Sequence, residues 1–309
     1  MEWEKKILVV DDAFTYKNLK KFKSYLDWED VKDIKEEGDL IKVRLDGKIY
    51  GENFYKPYEC DLTIIPDADE AIKYIKEKDV SELEKYDRII CDLEMPLKSY
   101  ENKEYATRIF NNRVNNQALD KVKKTAENLE KLAVNTVKKF IKISEIKIDE
   151  IYFGGFRVYP RDRPTERGDD LLFNIEEIEN KNITLHEGGL AVALILQEKL
   201  KSKDKITIYT SGLWGHSPST ITYALVSDVI DGNDLIEVYS EMLNEKLSFA
   251  VIKEYEGYTI YTCPWEDDFR ISKNKKLAIV TGSGLKCGYK VKPYFLVDLV
   301  KEIFKSDNS

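Results

Sequence analysis

The chain has 309 residues, 57 acidic and 49 basic side chains and a formal net charge of −8, so one elaborated domain or two are expected at roughly 100 to 200 residues per domain. The acidic balance opposes wholesale binding to nucleic acid or to anionic membranes. Four cysteines (Cys60, Cys91, Cys263 and Cys287) without a CxxC pair, and only two histidines, do not assemble a zinc site of the usual Cys/His kind. The opening MEWEKKILVVDD lacks the long apolar region of a secretory signal, and no apolar run reaches the roughly 18 residues that cross a bilayer. Reduced thiols in a cytoplasm are therefore expected. Dense Lys and Glu with only two glutamines, Gln117 and Gln197, is a composition met in thermophiles.

The first apolar run, Ile7 to Val10, ends at Asp11 and Asp12. It is followed by AFTYKNLKKFKSYL, where Phe14, Leu19, Phe22 and Leu26 fit one helical face. A second strand–helix unit follows in LTII (62–65) and DADEAIKYIKEK, and then RIIC (88–91) reads as a buried strand ended by Asp92. GGLAVALILQEKLK (188–201) is a helix leading into the strand ITIYT (206–210). CGYKV (287–291) reads as a fifth strand, and PYFLVDLVKEIF as a closing helix with proline at its start.

This alternation predicts an α/β fold, a doubly wound five-stranded parallel sheet. Its discontinuous core covers about 1–27, 61–96, 184–211 and 286–309. Three insertions interrupt it. Residues 28–60 form a hairpin around Asp46-Gly47. Residues 97–183 begin with a polar stretch and continue as a helix whose Leu119, Val122, Ala126, Leu129, Ala133, Phe140 and Ile143 keep 3,4 spacing, a stripe for the core or for a second copy in a homodimer. Residues 212–285 carry a helix and several strands, read as a small α+β subdomain.

In a parallel α/β sheet the carboxyl ends of the strands converge on one crevice. Asp11, Asp12, Asp92, Thr210 and Lys292 all fall there by sequence, each after an apolar run. These are the groups that phosphoryl transfer to a carboxylate needs: a nucleophilic Asp, further carboxylates for a divalent cation, and a cation and a hydroxyl for the phosphoryl oxygens. The segments ILVVDDAFTYKNL, YDRIICDLEMP, ITIYTSG and GYKVKPY resemble, in order, the first, third, fourth and fifth strand motifs of bacterial two-component receiver domains, the D-x-x-M-P form included as Asp92, Met95 and Pro96. The resemblance covers about 150 residues and implies a flavodoxin-like sheet of order 2-1-3-4-5. It implies Asp92 as phospho-acceptor, and Mg²⁺ (or Mn²⁺) held by Asp11, Asp12, Asp92 and the carbonyl of Glu94. Lys292 and Thr210 would meet the phosphoryl group, Tyr289 would be the aromatic switch, and a histidine kinase or phosphotransfer protein the donor. A protein partner would then be engaged through 97–183 or 212–285.

Departures accompany the match. Ser211-Gly212 follows Thr210 where the family has a small residue such as Ala, and long segments replace the loop after Asp92 and the helix after Thr210. Two alternatives stand beside a phosphorylated signalling protein. One is a pseudo-receiver scaffold that works without phosphorylation. The other is a haloacid-dehalogenase-like phosphatase, against which Asp11-Asp12-Ala13 lacks the D-x-D of such enzymes.

Overall fold

The computed structural model describes residues 4–25, 29–50, 55–144, 151–153, 156–158, 182–201, 204–211, 218–245, 254–255, 258–259, 268–281 and 292–305. In chain order the elements begin β1 (Glu4–Val10), α1 (Tyr16–Tyr25), β2 (Val31–Glu37), β3 (Leu40–Tyr50), β4 (Tyr55–Ile65), α2 (Ala68–Glu77), α3 (Val80–Leu83) and β5 (Arg88–Cys91). There follow α4 (Tyr100–Arg113), α5 (Asn116–Ser144), β6 (Ile151–Phe153), β7 (Phe156–Val158), α6 (Gly188–Leu200) and β8 (Ile206–Thr210). The last are α7 (Pro218–Val226), α8 (Gly232–Glu245), β9 (Glu254–Tyr255), β10 (Tyr258–Thr259), β11 (Asp268–Ile271), β12 (Leu277–Thr281), a 3₁₀ turn (Lys292–Phe295) and α9 (Leu296–Lys305). No helix among the described residues is long and apolar enough to cross a membrane.

The chain divides into two compact units. One comprises Met1–Ile109, Asn182–Thr210 and Tyr289–Ser309, the other Phe110–Lys181 and Ser211–Gly288. The two long segments expected as separate insertions thus make up one unit between them.

In the first unit β1 pairs in parallel with β4 on one side and with β5 on the other, and β5 pairs in parallel with β8. The runs LTII, ILVV, RIIC and ITIYT therefore stand side by side in that order. Ile7 to Val10 are wholly buried, as befits a strand covered on both faces. The fifth expected strand, 287–291, lies outside the described residues.

The sheet is mixed rather than all parallel. Beyond β4 the antiparallel strands β3 and β2 extend it, so the strands that the 28–60 segment forms among the described residues belong to the sheet instead of standing off it as a separate hairpin. The turn is not at Asp46-Gly47, which lies within β3 and pairs with Glu59 and Tyr58. It is at Gly38, whose φ of +64° is the left-handed conformation that glycine adopts without strain. Gly47 answers a different demand: a Cβ there would fall 2.0 Å from Asp30 Oδ1, and Asp46 N–H donates to the Asp30 carbonyl at 2.8 Å.

Local chemistry sets the helix ends. Asp67 caps α2, its side chain accepting from the N–H groups of Asp69 and Glu70, while Ala68, Ala71, Ile72 and Ile75 form the buried face. α6 is buried all round from Gly188 to Gln197, as expected of a helix with no polar face. Two helices take the place of the single one expected in 97–144. α4 hides its apolar stripe (Ala106, Ile109, Phe110) in a polar sequence, and α5 restarts at Asn115, whose Oδ1 accepts from Ala118 N–H.

In the second unit α5 packs against α7 and α8. Leu119, Val122, Ala126 and Leu129 are buried, so this part of the stripe serves the chain's own core. Ala133, Phe140 and Ile143 have side chains outside the described set. Gly232 of α8 permits the closest approach, since a Cβ there would lie 2.1 Å from Thr125 Oγ1. Further hairpins are β6–β7, β9–β10 and β11–β12.

Candidate functional site

The site forms where β1, β5 and β8 end. The β1 ladder continues past its last residue: Asp11 N–H donates to the Ile65 carbonyl at 3.3 Å, and Asp92 N–H to the Val10 carbonyl at 2.9 Å. Asp11 and Asp92 are thereby held at neighbouring strand ends, both buried. The carboxylates of Asp11, Asp12 and Asp92 each offer an oxygen within 4.8 Å of the others.

One ammonium faces them. Lys292 Nζ lies 2.7 Å from Asp92 Oδ2 and 2.8 Å from Asp11 Oδ2, and its side chain is fully buried. The remaining oxygens are oriented by the backbone. Asp11 Oδ1 accepts from Ala13 N–H at 2.9 Å, and Asp92 Oδ1 from Leu93 N–H at 2.8 Å.

Among the described residues, three carboxylates face one cation, an excess of negative charge in a poorly solvated place. Burial pushes the Asp11 carboxyl up to about 7; Lys292 opposes the rise and Asp92 adds to it. Burial, with Asp92 again adding to it, brings Asp12 to about 6. Burial opposes the charge on Lys292, yet Asp11 and Asp92 more than offset this and hold its pKa above the ordinary value. A cluster that otherwise takes up protons, built wholly of oxygen donors, suits a hard divalent cation.

Aromatic side chains back the lysine. Tyr209, the penultimate residue of β8, is completely buried and its hydroxyl donates to the Lys292 carbonyl at 2.7 Å. Its ring centroid is 5.3 Å from Lys292 Nζ, and the Phe14 ring stacks against it with centroids 6.2 Å apart and planes 4° apart. Burial first, then the charges of Asp11 and Asp92, raise the Tyr209 pKa, so the hydroxyl stays a donor.

The loop after Asp92 is tied down along its length. Leu190 N–H donates to the Leu93 carbonyl, Gly188 N–H to Met95, and Leu97 N–H to Leu185. Lys98 N–H donates to Asp69 Oδ2 at 2.7 Å. This approach of α6 demands the Gly188-Gly189 pair: a Cβ on Gly189 would fall 1.7 Å from the Asp92 carbonyl oxygen, and one on Gly188 would fall 2.7 Å from that of Met95.

Of the residues singled out in the sequence, Asp11, Asp12, Asp92 and Lys292 come together. Thr210 is the last residue of β8, buried, two positions beyond Ile208, which pairs with Cys91. Glu94 is half-buried in the tethered loop two residues past Asp92. Tyr289 lies outside the described residues, as do Cys263 and Cys287. Tyr209, Phe14 and Gly188-Gly189 were not anticipated as parts of the site. In a strand buried at every position, ITIYT has no alternation to show which way the tyrosine points. The adjacent glycines at a helix start were the one signal of a close backbone approach. No protein-family model, no curated protein and no solved structure matches this chain.

Proposed function

We propose that the chain is a receiver-like phospho-acceptor with Asp92 as its nucleophile. The observation that carries this reading is Lys292, which reaches across 281 positions of sequence to bridge Asp11 and Asp92 where a third carboxylate, Asp12, completes an oxygen-rich cluster. The parallel order of LTII, ILVV, RIIC and ITIYT supports a flavodoxin-like, doubly wound arrangement of the parallel strands, with 287–291 as the fifth.

In the proposed reaction an Asp92 oxygen attacks the phosphorus of a phosphohistidine or a small acyl phosphate. The bond from phosphorus to the donor breaks and its electron pair leaves with the donor. Mg²⁺ held by Asp11, Asp12 and Asp92, with the Glu94 carbonyl as a further candidate ligand, would neutralise charge on the phosphoryl oxygens. Lys292, already beside Asp92, would turn its ammonium to those oxygens, and the Thr210 hydroxyl would bond them.

The division into units supports the second unit as the output. The chain leaves the first unit directly after Thr210 and re-enters it at Tyr289, three residues before Lys292. A shift of Thr210, and of Tyr289 as switch, would act at both of those connections and be relayed to a protein partner, in a cytoplasmic signalling role with a histidine kinase or phosphotransfer protein as donor. Incubation with Mg²⁺ and a small acyl phosphate, followed by intact-mass measurement, tests the reading. A phosphoryl adduct is expected on the wild type and not on Asp92→Asn; an adduct of equal yield on both overturns it.

A further inference from the structure

Lysine is a long, flexible side chain, and burying its ammonium away from water is tolerated only where its position is well determined. Lys292 is wholly buried, and its two carboxylate partners hold only the tip. Its main chain lies at the start of the 3₁₀ turn Lys292–Phe295, so a small rotation there would move the ammonium off its place between Asp11 and Asp92. Tyr209 meets the lysine at both ends: the hydroxyl binds the Lys292 carbonyl at 2.7 Å, and the ring face lies under the ammonium at 5.3 Å. The ring cannot tilt freely, because Phe14 is stacked against it nearly parallel. Phe14 in turn follows the Asp11-Asp12-Ala13 turn, closed by a bond from Phe14 N–H to the Asp11 carbonyl at 3.2 Å.

We propose that Tyr209 is a positioning residue that sets the Lys292 ammonium between Asp11 and Asp92, with Phe14 tying the same ring to the Asp11-Asp12 turn. This role, which rests on the phospho-acceptor reading for its effect on phosphoryl binding, is distinct from general core filling. A tyrosine that only filled space would be replaceable by phenylalanine, which keeps volume, burial and ring face. The hydroxyl is the atom that touches the main chain of Lys292. Losing it leaves a carbonyl without that donor and frees the turn on which the lysine stands.

The test compares wild type, Tyr209→Phe and Phe14→Leu by two measurements, with thermal unfolding to establish that each is folded. The first is the ¹⁵N-detected spectrum of the lysine ammonium groups, in which a buried, ion-paired Lys292 exchanges slowly enough to be seen; Lys292→Arg assigns the signal. The second is the affinity for beryllofluoride, a phosphoryl mimic, at saturating Mg²⁺, with Mg²⁺ affinity measured separately. In Tyr209→Phe the Lys292 signal is expected to shift or broaden and beryllofluoride to bind about tenfold more weakly, the equivalent of one lost hydrogen bond, while Mg²⁺ affinity stays within about twofold. Phe14→Leu should move the same signal in the same direction. In a Lys292→Ala background Tyr209→Phe should have no further effect on beryllofluoride binding. An unmoved Lys292 signal in a folded Tyr209→Phe protein, or equal losses with and without Lys292, overturns the assignment. A wild type that binds no beryllofluoride while its Lys292 signal responds to Tyr209→Phe would reject the phospho-acceptor reading and leave the positioning role standing.

Discussion

Replacing Lys292 by methionine keeps most of the side-chain volume and deletes one charge. Among the described residues Lys292 supplies the ammonium that both Asp11 and Asp92 contact, at 2.8 and 2.7 Å. Even with Lys292 in place, burial raises the Asp11 carboxyl from 3.8 to about 7, so the fold disfavours its ionised form. Removing one partner of a buried ion pair typically costs about 3–5 kcal/mol. Lys292→Met should therefore lose about 3–5 kcal/mol of unfolding free energy at pH 8 in a chelator. The loss should be smaller at pH 5, where Asp11 carries its own proton, and smaller again at pH 8 with Mg²⁺. Urea titrations at the two pH values, with and without Mg²⁺, measure all of this. A loss under about 1 kcal/mol at both pH values, insensitive to Mg²⁺, would show that the buried bridge does not organise the site.

A pH dependence of metal binding follows from the same cluster. Asp11 at about 7 and Asp12 at about 6 are both raised above 3.8, so the folded state holds protons that the unfolded state gives up. Without metal their contribution to stability is unpenalised below about pH 4 and declines as the pH rises to about 7. Mg²⁺ competes with those protons, so the rise in melting temperature on adding it should be larger at pH 8 than at pH 5.5 and should be largely lost in Asp12→Asn; an equal rise at both pH values would count against these ligands. At the backbone, Gly189→Ala should cost about 3 kcal/mol or more, because the new Cβ meets the Asp92 carbonyl oxygen at 1.7 Å. Gly38→Ala meets nothing within 4 Å and suffers only its φ of +64°, about 1 kcal/mol. Thermal unfolding of the two variants should rank them in that order.

Much of the fold could be read where a run of apolar residues was ended by a charged one. ILVV, the IIC of RIIC and ITIYT show no alternation of apolar with charged residues that would mark a sheet face in water, so burial on both faces was the reading, with Asp11, Asp92 and Thr210 at their ends. DADEAIKYIKEK read as a helix from its apolar spacing, and the Asp67 cap was seen only in the structure. The misplaced hairpin turn shows the limit of such reasoning. Asp46-Gly47 has the composition of a tight turn, but its glycine is there for the approach of Asp30, a contact made at long range. α4 was hidden for the same kind of reason: its buried Ala106, Ile109 and Phe110 are few among charged and amide residues, and only tertiary packing makes them a face. Within the site, the charged groups were legible because carboxylates and a lysine after apolar strands have few bland explanations. Tyr209 was not, since a tyrosine in a buried strand is ordinary until its hydroxyl is seen on the lysine it supports.

The central claim concerns one covalent bond. After incubation with Mg²⁺ and a small acyl phosphate, borohydride reduction cleaves an aspartyl phosphate to an alcohol that survives proteolysis, and peptide mass mapping locates it. The label is expected on Asp92, dependent on Mg²⁺ and reduced at least about tenfold in Lys292→Met. A label on another carboxylate, a label independent of Mg²⁺, or no label on a protein that binds Mg²⁺ at this site would contradict the account.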